Sequence, residues 1–288
     1  WDFGWQRPAD IFREHARITT LARPAARVFD LSGFVELTDA EYDALTPTRW
    51  PVPARGEEGG RLTPDARFLL LSSLAAREPD LSPYAASKRA GEEVLKTRSG
   101  QGRGSWLAVR APAVYGPGDR ETLAYFKTVD RGLAPRPMVA GARLSLIHVA
   151  DLAEAVVRAL ESDLAASVYE VDDGHPGGHT YDDMARAAGL ALKGGDLKGR
   201  EVGRQPWILA IPRPVLAAVG AWNGLRQSLG GAPQILTAGK VAEMFHPDWT
   251  IHDRRLAEAT GFSARYDLQR GFADTVLWYR QRRWLGNR

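Results

Sequence analysis

The four consecutive apolar residues Phe68-Leu69-Leu70-Leu71, closed by Ser72-Ser73, constrain the fold more than any other stretch of this chain. Successive side chains of a strand point to opposite faces. A strand that is apolar at every position must therefore be covered on both sides, as inside a parallel sheet with helices on each face. Soon afterwards Ser82-Pro83 marks a helix start, a hydroxyl N-cap followed by Pro at the first helical position. The helix predicted there runs to about Thr97.

The pattern then repeats. Trp106–Arg110 reads as a strand broken by the turn Tyr115-Gly116-Pro117-Gly118, and a helix is predicted from Glu121 to Arg131. Leu144–His148 is a strand, followed by a helix that starts near Asp151 and ends near Glu161. Val168–Val171 is a further strand, closed by Asp172-Asp173-Gly174. Thr180 and Asp183 form a capping box for a helix to about Leu192. Strands alternating with helices specify an α/β protein with a mostly parallel sheet. The tail is strand-poor. It carries predicted helices after Pro214, from Thr237 to Phe245, from an Asp253 N-cap to Gly261, and from Leu268 to Arg283, which together predict a smaller, mainly helical lobe.

Residues 1–66 are different in texture, rich in Arg, Ala and Pro and without sustained periodicity. Short strands are predicted at Arg17–Leu21 and Arg27–Leu31 and a helix from Thr38 to Leu45, before a loop through Pro47, Pro51, Pro53 and Gly56 to Gly60. The chain starts at Trp1, which reads as a processed, truncated or incompletely read beginning.

Composition excludes several function classes. A net charge of +3 on 288 residues is too small to argue for nucleic acid or an anionic membrane, and the basic residues are scattered. There is no cysteine, which removes disulfides, thiolate nucleophiles and thiolate metal sites and fits a reducing cytoplasm. The most apolar stretch, Trp207 to Leu225, is interrupted by Pro212, Arg213 and Pro214. It reads as a core helix of the second lobe, with a surface-associating amphipathic helix as the alternative, and no segment reads as a membrane span. His175 and His179 flank Gly177-Gly178 without a ligand set around them, so no metal is expected. His148 and Asp151 read as strand-end and helix-cap positions, and the Trp residues of the C-terminal half as packing anchors, with Trp222 or Trp249 as candidates to line a substrate pocket.

The chemistry-bearing stretch is Ser82-Pro83-Tyr84-Ala85-Ala86-Ser87-Lys88. Tyr84 and Lys88 are four apart on a helix and share one face. A phenol with a free pKa near 10 is a poor acid–base catalyst at neutral pH; lowering it by about three units takes about 4 kcal/mol of phenolate stabilisation. A neighbouring ammonium supplies part of that by favouring the charged form. A serine at the end of the preceding strand, Ser73 with Ser72 as the fallback, can hold a substrate oxygen. Such a trio moves a proton onto or off a carbonyl-derived oxygen.

Taken together, Leu71-Ser72-Ser73, the Tyr84/Lys88 motif, Arg110 to Gly118, Leu146-Ile147-His148-Val149-Ala150-Asp151-Leu152-Ala153, and the tail from Asp253 to Phe262 and Gly271-Phe272 to Trp278-Tyr279 resemble the extended short-chain dehydrogenase/reductases. That group includes nucleotide-sugar epimerases and dehydratases and 3β-hydroxysteroid dehydrogenases. The resemblance covers residues 68 to 288. It implies a Rossmann-like domain over 67–115 and 145–172, and a substrate lobe over 116–144 and 173–288. The cofactor it implies is NAD or NADP and the partner a small-molecule substrate. Tyr84 would be the acid/base; Lys88 would bind the nicotinamide ribose. Ser73 would hold the substrate oxygen, and Pro112, Ala113 and Val114 would lie against the nicotinamide. The family's habit of pairing through the Tyr/Lys helix and its neighbour adds a homodimer as an expectation.

Two departures qualify this. The family opens with a strand and a Gly-x-x-Gly-x-x-Gly turn that receives the pyrophosphate. Neither Gly56-Glu57-Glu58-Gly59-Gly60 nor Gly100, Gly102 and Gly104 stands between a strand and a helix in that order. The 71 residues before Ser72 are also too few for the βαβ units expected there. The expectation is a sheet incomplete at its N-terminal end, from a truncated gene, a shifted reading frame or a divergent N-terminus. Second, the Asn that sugar-nucleotide epimerases usually carry three residues after the strand Arg is replaced by Ala113, which favours a less polar alcohol or ketone. The sequence reading is thus an NAD(P)-dependent oxidoreductase. Its alternatives are a nucleotide-sugar epimerase/dehydratase and a relative that holds no dinucleotide.

Overall fold

The computed structural model describes residues 27–29, 67–99, 105–193, 205–228 and 238–286. The predicted strand at 17–21, the helix at 38–45, the loop at 47–60 and the glycines at 100, 102 and 104 lie outside the described residues.

A four-stranded, wholly parallel sheet runs in the order β1 (Arg27–Phe29), β2 (Arg67–Ser73), β3 (Ser105–Ala111) and β8 (Ser167–Glu170). Its two faces are built from alternate residues of the same strands. Leu69 of β2 and Leu107 and Val109 of β3 pack with Leu152, Ala155, Val156, Ala159 and Leu160 of α3 (Val149–Glu161) and with Leu256 of α7 (Arg255–Thr260). Leu70, Trp106 and Ala108 face the other way, where Leu95 of α1 (Pro83–Ser99) packs on them. The unbroken apolar run of β2 is explained by this double cover.

Between β3 and β8 the chain forms β4 (Ala113–Tyr115), α2 (Glu121–Asp130), β5 (Leu133–Pro137), β6 (Arg143–Leu144) and β7 (Leu146–His148). After β8 come α4 (Tyr181–Leu192), β9 (Trp207–Ile211), α5 (Arg213–Ser228), α6 (Ala238–Met244), β10 (Asp248–Trp249), α7 and α8 (Leu268–Gln281). Three parallel two-stranded pairs, β4 with β7, β5 with β9 and β6 with β10, stitch these segments together. A second core fills the space among them, with Phe126, Ala188, Phe272 and Tyr279 fully or almost fully buried. Its rings meet edge to face, Phe272 standing 5.0 Å from both Tyr115 and Phe126, the arrangement ring quadrupoles favour.

The local signals hold where their chemistry is self-contained. The Thr180/Asp183 capping box forms in both directions, and Ser82 accepts from the Ala85 N–H at the head of α1. Gly261 ends α7 in the left-handed region at φ 64°, where a side chain would be strained. Two expectations are corrected. Helix α3 starts at Val149, not near Asp151, because His148 Nδ1 accepts from the Ala150 N–H and caps it. Asp151 is instead buried and accepts from the backbone N–H groups of Arg265 and Tyr266, tying the tail to α3. The stretch from Trp207 is not a core helix. Its first five residues pair with β5 as strand β9, and along α5 up to Asn223 only Leu216 and Gly220 are buried.

Candidate active site

The expected site residues gather at the carboxyl ends of β2 and β3. Ser73 is the last residue of β2 and stands in register with Ala111, the last of β3. Pro112, Ala113 and Val114 continue directly from there. Pro112 is buried, whereas Ala113 and Val114 are exposed. The crevice outside the carboxyl ends of parallel strands is where open α/β sheets bind ligands, since the loops that leave the strands there are free to vary.

Helix α1 delivers the other two. Its second residue, Tyr84, is 41% exposed, while Lys88, one turn on, is only 3% exposed. Lys88 Nζ donates to the Leu71 carbonyl at 3.2 Å and lies 5.6 Å from the centre of the Tyr84 ring. The ammonium is thereby fixed between β2 and the phenol that the sequence pairs with it. Ser82 anchors the head of α1 further, donating its hydroxyl to the Glu243 carboxylate on α6. The Glu243 carbonyl accepts from Trp249 Nε1 at 2.8 Å. A methyl group added at Gly239 would meet Ser82 Cβ at 2.8 Å, so α6 sits directly against the start of the Tyr84 helix.

The structure separates the two serines. Ser72 is buried and its hydroxyl donates to Glu92 Oε1 at 2.6 Å. Ser73 Oγ accepts from the Ala75 N–H at 3.2 Å, a bond that leaves its own O–H to donate elsewhere. The Ser72 hydroxyl is thus committed to Glu92, whereas Ser73 uses its oxygen as an acceptor at the head of the following turn.

Sequence reasoning missed the buried charges below the site. Glu92, four residues beyond Lys88 on α1, is fully buried and holds Arg110 of β3 through two bonds of 2.8 and 2.7 Å. Arg110 also stands 3.6 Å from Glu170 of β8, which Arg77 approaches at 3.9 Å. Burial works against the Arg110 guanidinium, but the bonds from Glu92 and the charge of Glu170 outweigh it and its pKa lies above the ordinary value. The spacing Tyr84, Lys88, Glu92 was the available signal for Glu92; Glu170 and Glu243 had none.

Beside this site lies His148, buried, stacked on Tyr266 at 4.0 Å and 3.4 Å from Asp274. Burial lowers its pKa below the usual histidine value, against the pull of Asp274 and Asp151. Tyr115 is buried against it, and burial drives the phenol far above its ordinary range. Asp173 and His179 pair at 2.6 Å, and among the described residues no group of three or more His, Asp or Glu could hold a metal ion.

Residues 59–171 match the NAD dependent epimerase/dehydratase family. The ceramide reductase of Caulobacter vibrioides is 37% identical over 220 residues, 76% of this chain and 64% of its own length. The chain therefore spans just under two thirds of that relative. A shorter match, 42% over 50 residues, is to a nitrate reductase of Klebsiella oxytoca; it covers 17% of this chain and 6% of that one. Among solved structures, the UDP-glucuronic acid 4-epimerase of Bacillus cereus, in complex with NAD, superposes with a TM-score of 0.51 at 14% identity, over 75% of this chain and 61% of its own. That likeness identifies the sheet as Rossmann-like.

Proposed function

We propose that this chain, whose residues 59–171 match the NAD dependent epimerase/dehydratase family, is an NAD(P)-dependent oxidoreductase that interconverts a secondary alcohol and a ketone on a lipid-like substrate. The observation that carries the reading is the junction of Tyr84, Lys88 and Ser73 at the ends of β2 and β3.

The residues fit one end of the cofactor and not the other. The exposed Ala113 and Val114 offer a flat apolar rest for a nicotinamide, and Lys88 is held where a ribose hydroxyl could reach it. When bound, that group supplies or takes the hydride. The chain's own residues handle the proton. In reduction Tyr84 gives its phenolic proton to the substrate oxygen, and in oxidation the phenolate takes it back. The Lys88 ammonium favours the phenolate and so brings the phenol toward a working pKa. Ser73 donates its hydroxyl to the same oxygen and fixes it opposite Tyr84.

For the pyrophosphate end, the sequence of residues 1–66 carries no Gly-x-x-Gly-x-x-Gly turn.

Substrate class follows from Ala113 and from the ceramide reductase relationship. A methyl group where a sugar-binding Asn would stand cannot hydrogen-bond a hexose, and a relative named for a ceramide points to a lipid ketone. The test is turnover of long-chain 3-ketolipids against UDP-hexoses with NADH and NADPH, using Tyr84→Phe as control. Lipid turnover that falls by about a hundredfold or more in Tyr84→Phe supports the reading. Turnover of UDP-hexoses alone would overturn it.

A further inference from the structure

Six large apolar side chains stand exposed on two consecutive segments of the second lobe: Trp207, Ile208 and Leu209 of β9, and Val215, Val219 and Trp222 of α5. Trp207 is 76% exposed and Trp222 63%. Neighbouring strand residues point to opposite faces, so three exposed in succession mean that neither face of β9 is covered there by the described residues. On α5, positions 215, 219 and 222 share one helical face, opposite the buried Leu216 and Gly220. From Pro214 to Leu225 the sequence has no charge, and arginines at 213 and 226 bracket this run. Leu133, which pairs with Trp207, is itself exposed and lies two residues from the exposed Arg131. Large apolar side chains left exposed in this number, with the exposed Arg131 and Arg213 close to them in the chain, point to an interaction site.

We propose that β9 and α5 dock this lobe on the headgroup layer of an anionic lipid bilayer, with α5 in the plane of the surface and Trp207 and Trp222 seated at the interface. Three observations select this occupant. No described helix is long and apolar enough to cross a membrane, and a helix lying in the plane of a bilayer surface needs no such length. Tryptophan is the residue most suited to the headgroup boundary, with an apolar body and one polar N–H. The exposed Arg213 heads α5 and the exposed Arg131 lies two residues from Leu133, and anionic headgroups would neutralise both. The proposal deepens the lipid-substrate reading and rests on it: a lobe docked in this way meets its substrate where a two-chain lipid resides.

The experiment is flotation of the full chain with phosphatidylcholine vesicles, with and without phosphatidylglycerol. The chain is expected to float with the anionic vesicles, and a variant carrying Val215→Ser, Val219→Ser and Trp222→Ser to float about tenfold less at an unchanged circular dichroism spectrum. Should that variant misfold, Trp222→Phe in vesicles of brominated lipid takes its place, with a smaller share of the tryptophan emission quenched as the expected result. Absence of flotation on both vesicles, or flotation or quenching unaltered by the substitutions, overturns the proposal. So does a dimer in light scattering that the substitutions dissociate while the native chain ignores vesicles. Flotation needs neither nucleotide nor substrate, so its failure is distinguishable from a failure of the lipid-ketone assay.

Discussion

Glu92 grips Arg110 through two hydrogen bonds, 2.8 Å to Nε and 2.7 Å to Nη2, and so locks the helix that carries Tyr84 and Lys88 to the strand that leads into Pro112–Val114. Both charges are largely out of water, so removing one strands the other. Glu92→Ala is expected to cost about 3 to 5 kcal/mol of stability, read as a lowered denaturation midpoint in urea. A loss within about 0.5 kcal/mol, the range of an ordinary surface substitution, would show that the pair does not hold the helix in place.

The two adjacent serines should part company under mutation. Ser73→Ala removes the hydroxyl proposed to hold the substrate oxygen while its backbone register with Ala111 remains. Turnover should fall by about tenfold or more with little change in melting temperature. Ser72→Ala removes a donor to a buried carboxylate, so the melting temperature should fall while turnover at saturating substrate stays near that of the native chain. The reverse pattern would reassign the roles.

His148 gives the fold an acid-side sensitivity. Burial holds its folded-state pKa below the usual value of 6.5, with Asp274 and Asp151 opposing and Arg265 assisting. The unfolded chain takes up a proton near pH 6.5 that the folded chain resists, so this contribution is fully present above that pH. It declines as the pH falls through 6.5 toward the folded pKa. Thermal unfolding between pH 8 and pH 5 should therefore show a slope that is shallower in His148→Asn. An identical slope in both would mean that other groups carry the acid dependence.

A methyl group at Gly271 would collide with the Tyr115 hydroxyl inside the second core. Gly271→Ala should overpack that contact and destabilise by about 1 to 3 kcal/mol, measured by urea denaturation. Partial recovery in the double variant with Tyr115→Phe would locate the clash at the hydroxyl.

Much of the fold was readable because its signals are local. The run Phe68–Leu71 announced a doubly covered strand, and Ser82-Pro83 and Thr180/Asp183 announced helix starts that form as expected. Tyr84 and Lys88 were readable from their spacing, and the serines from the end of the strand before them. Less was readable where partners are distant in sequence. Glu243 meets Ser82 across 161 positions, and Glu170 meets Arg110 on a neighbouring strand, so no periodicity connects them. The apolar stretch from Trp207 failed for another reason. Apolar residues alone do not say whether a face is covered, and a five-residue apolar run suits a strand as well as a helix. Asp151 misled because an acid near a helix start imitates a cap, whereas His148 supplies it.

Lys88 and the β2–β3 ends are proposed to hold a nicotinamide nucleotide, and the deciding measurement is titration with NADH and then NADPH, with Lys88→Ala alongside. The expected result is saturable binding of one nucleotide by the native chain, weakened by about tenfold in the variant, which loses a charged hydrogen-bond donor. Binding of neither nucleotide by a folded sample, or equal binding by chain and variant, would contradict the account.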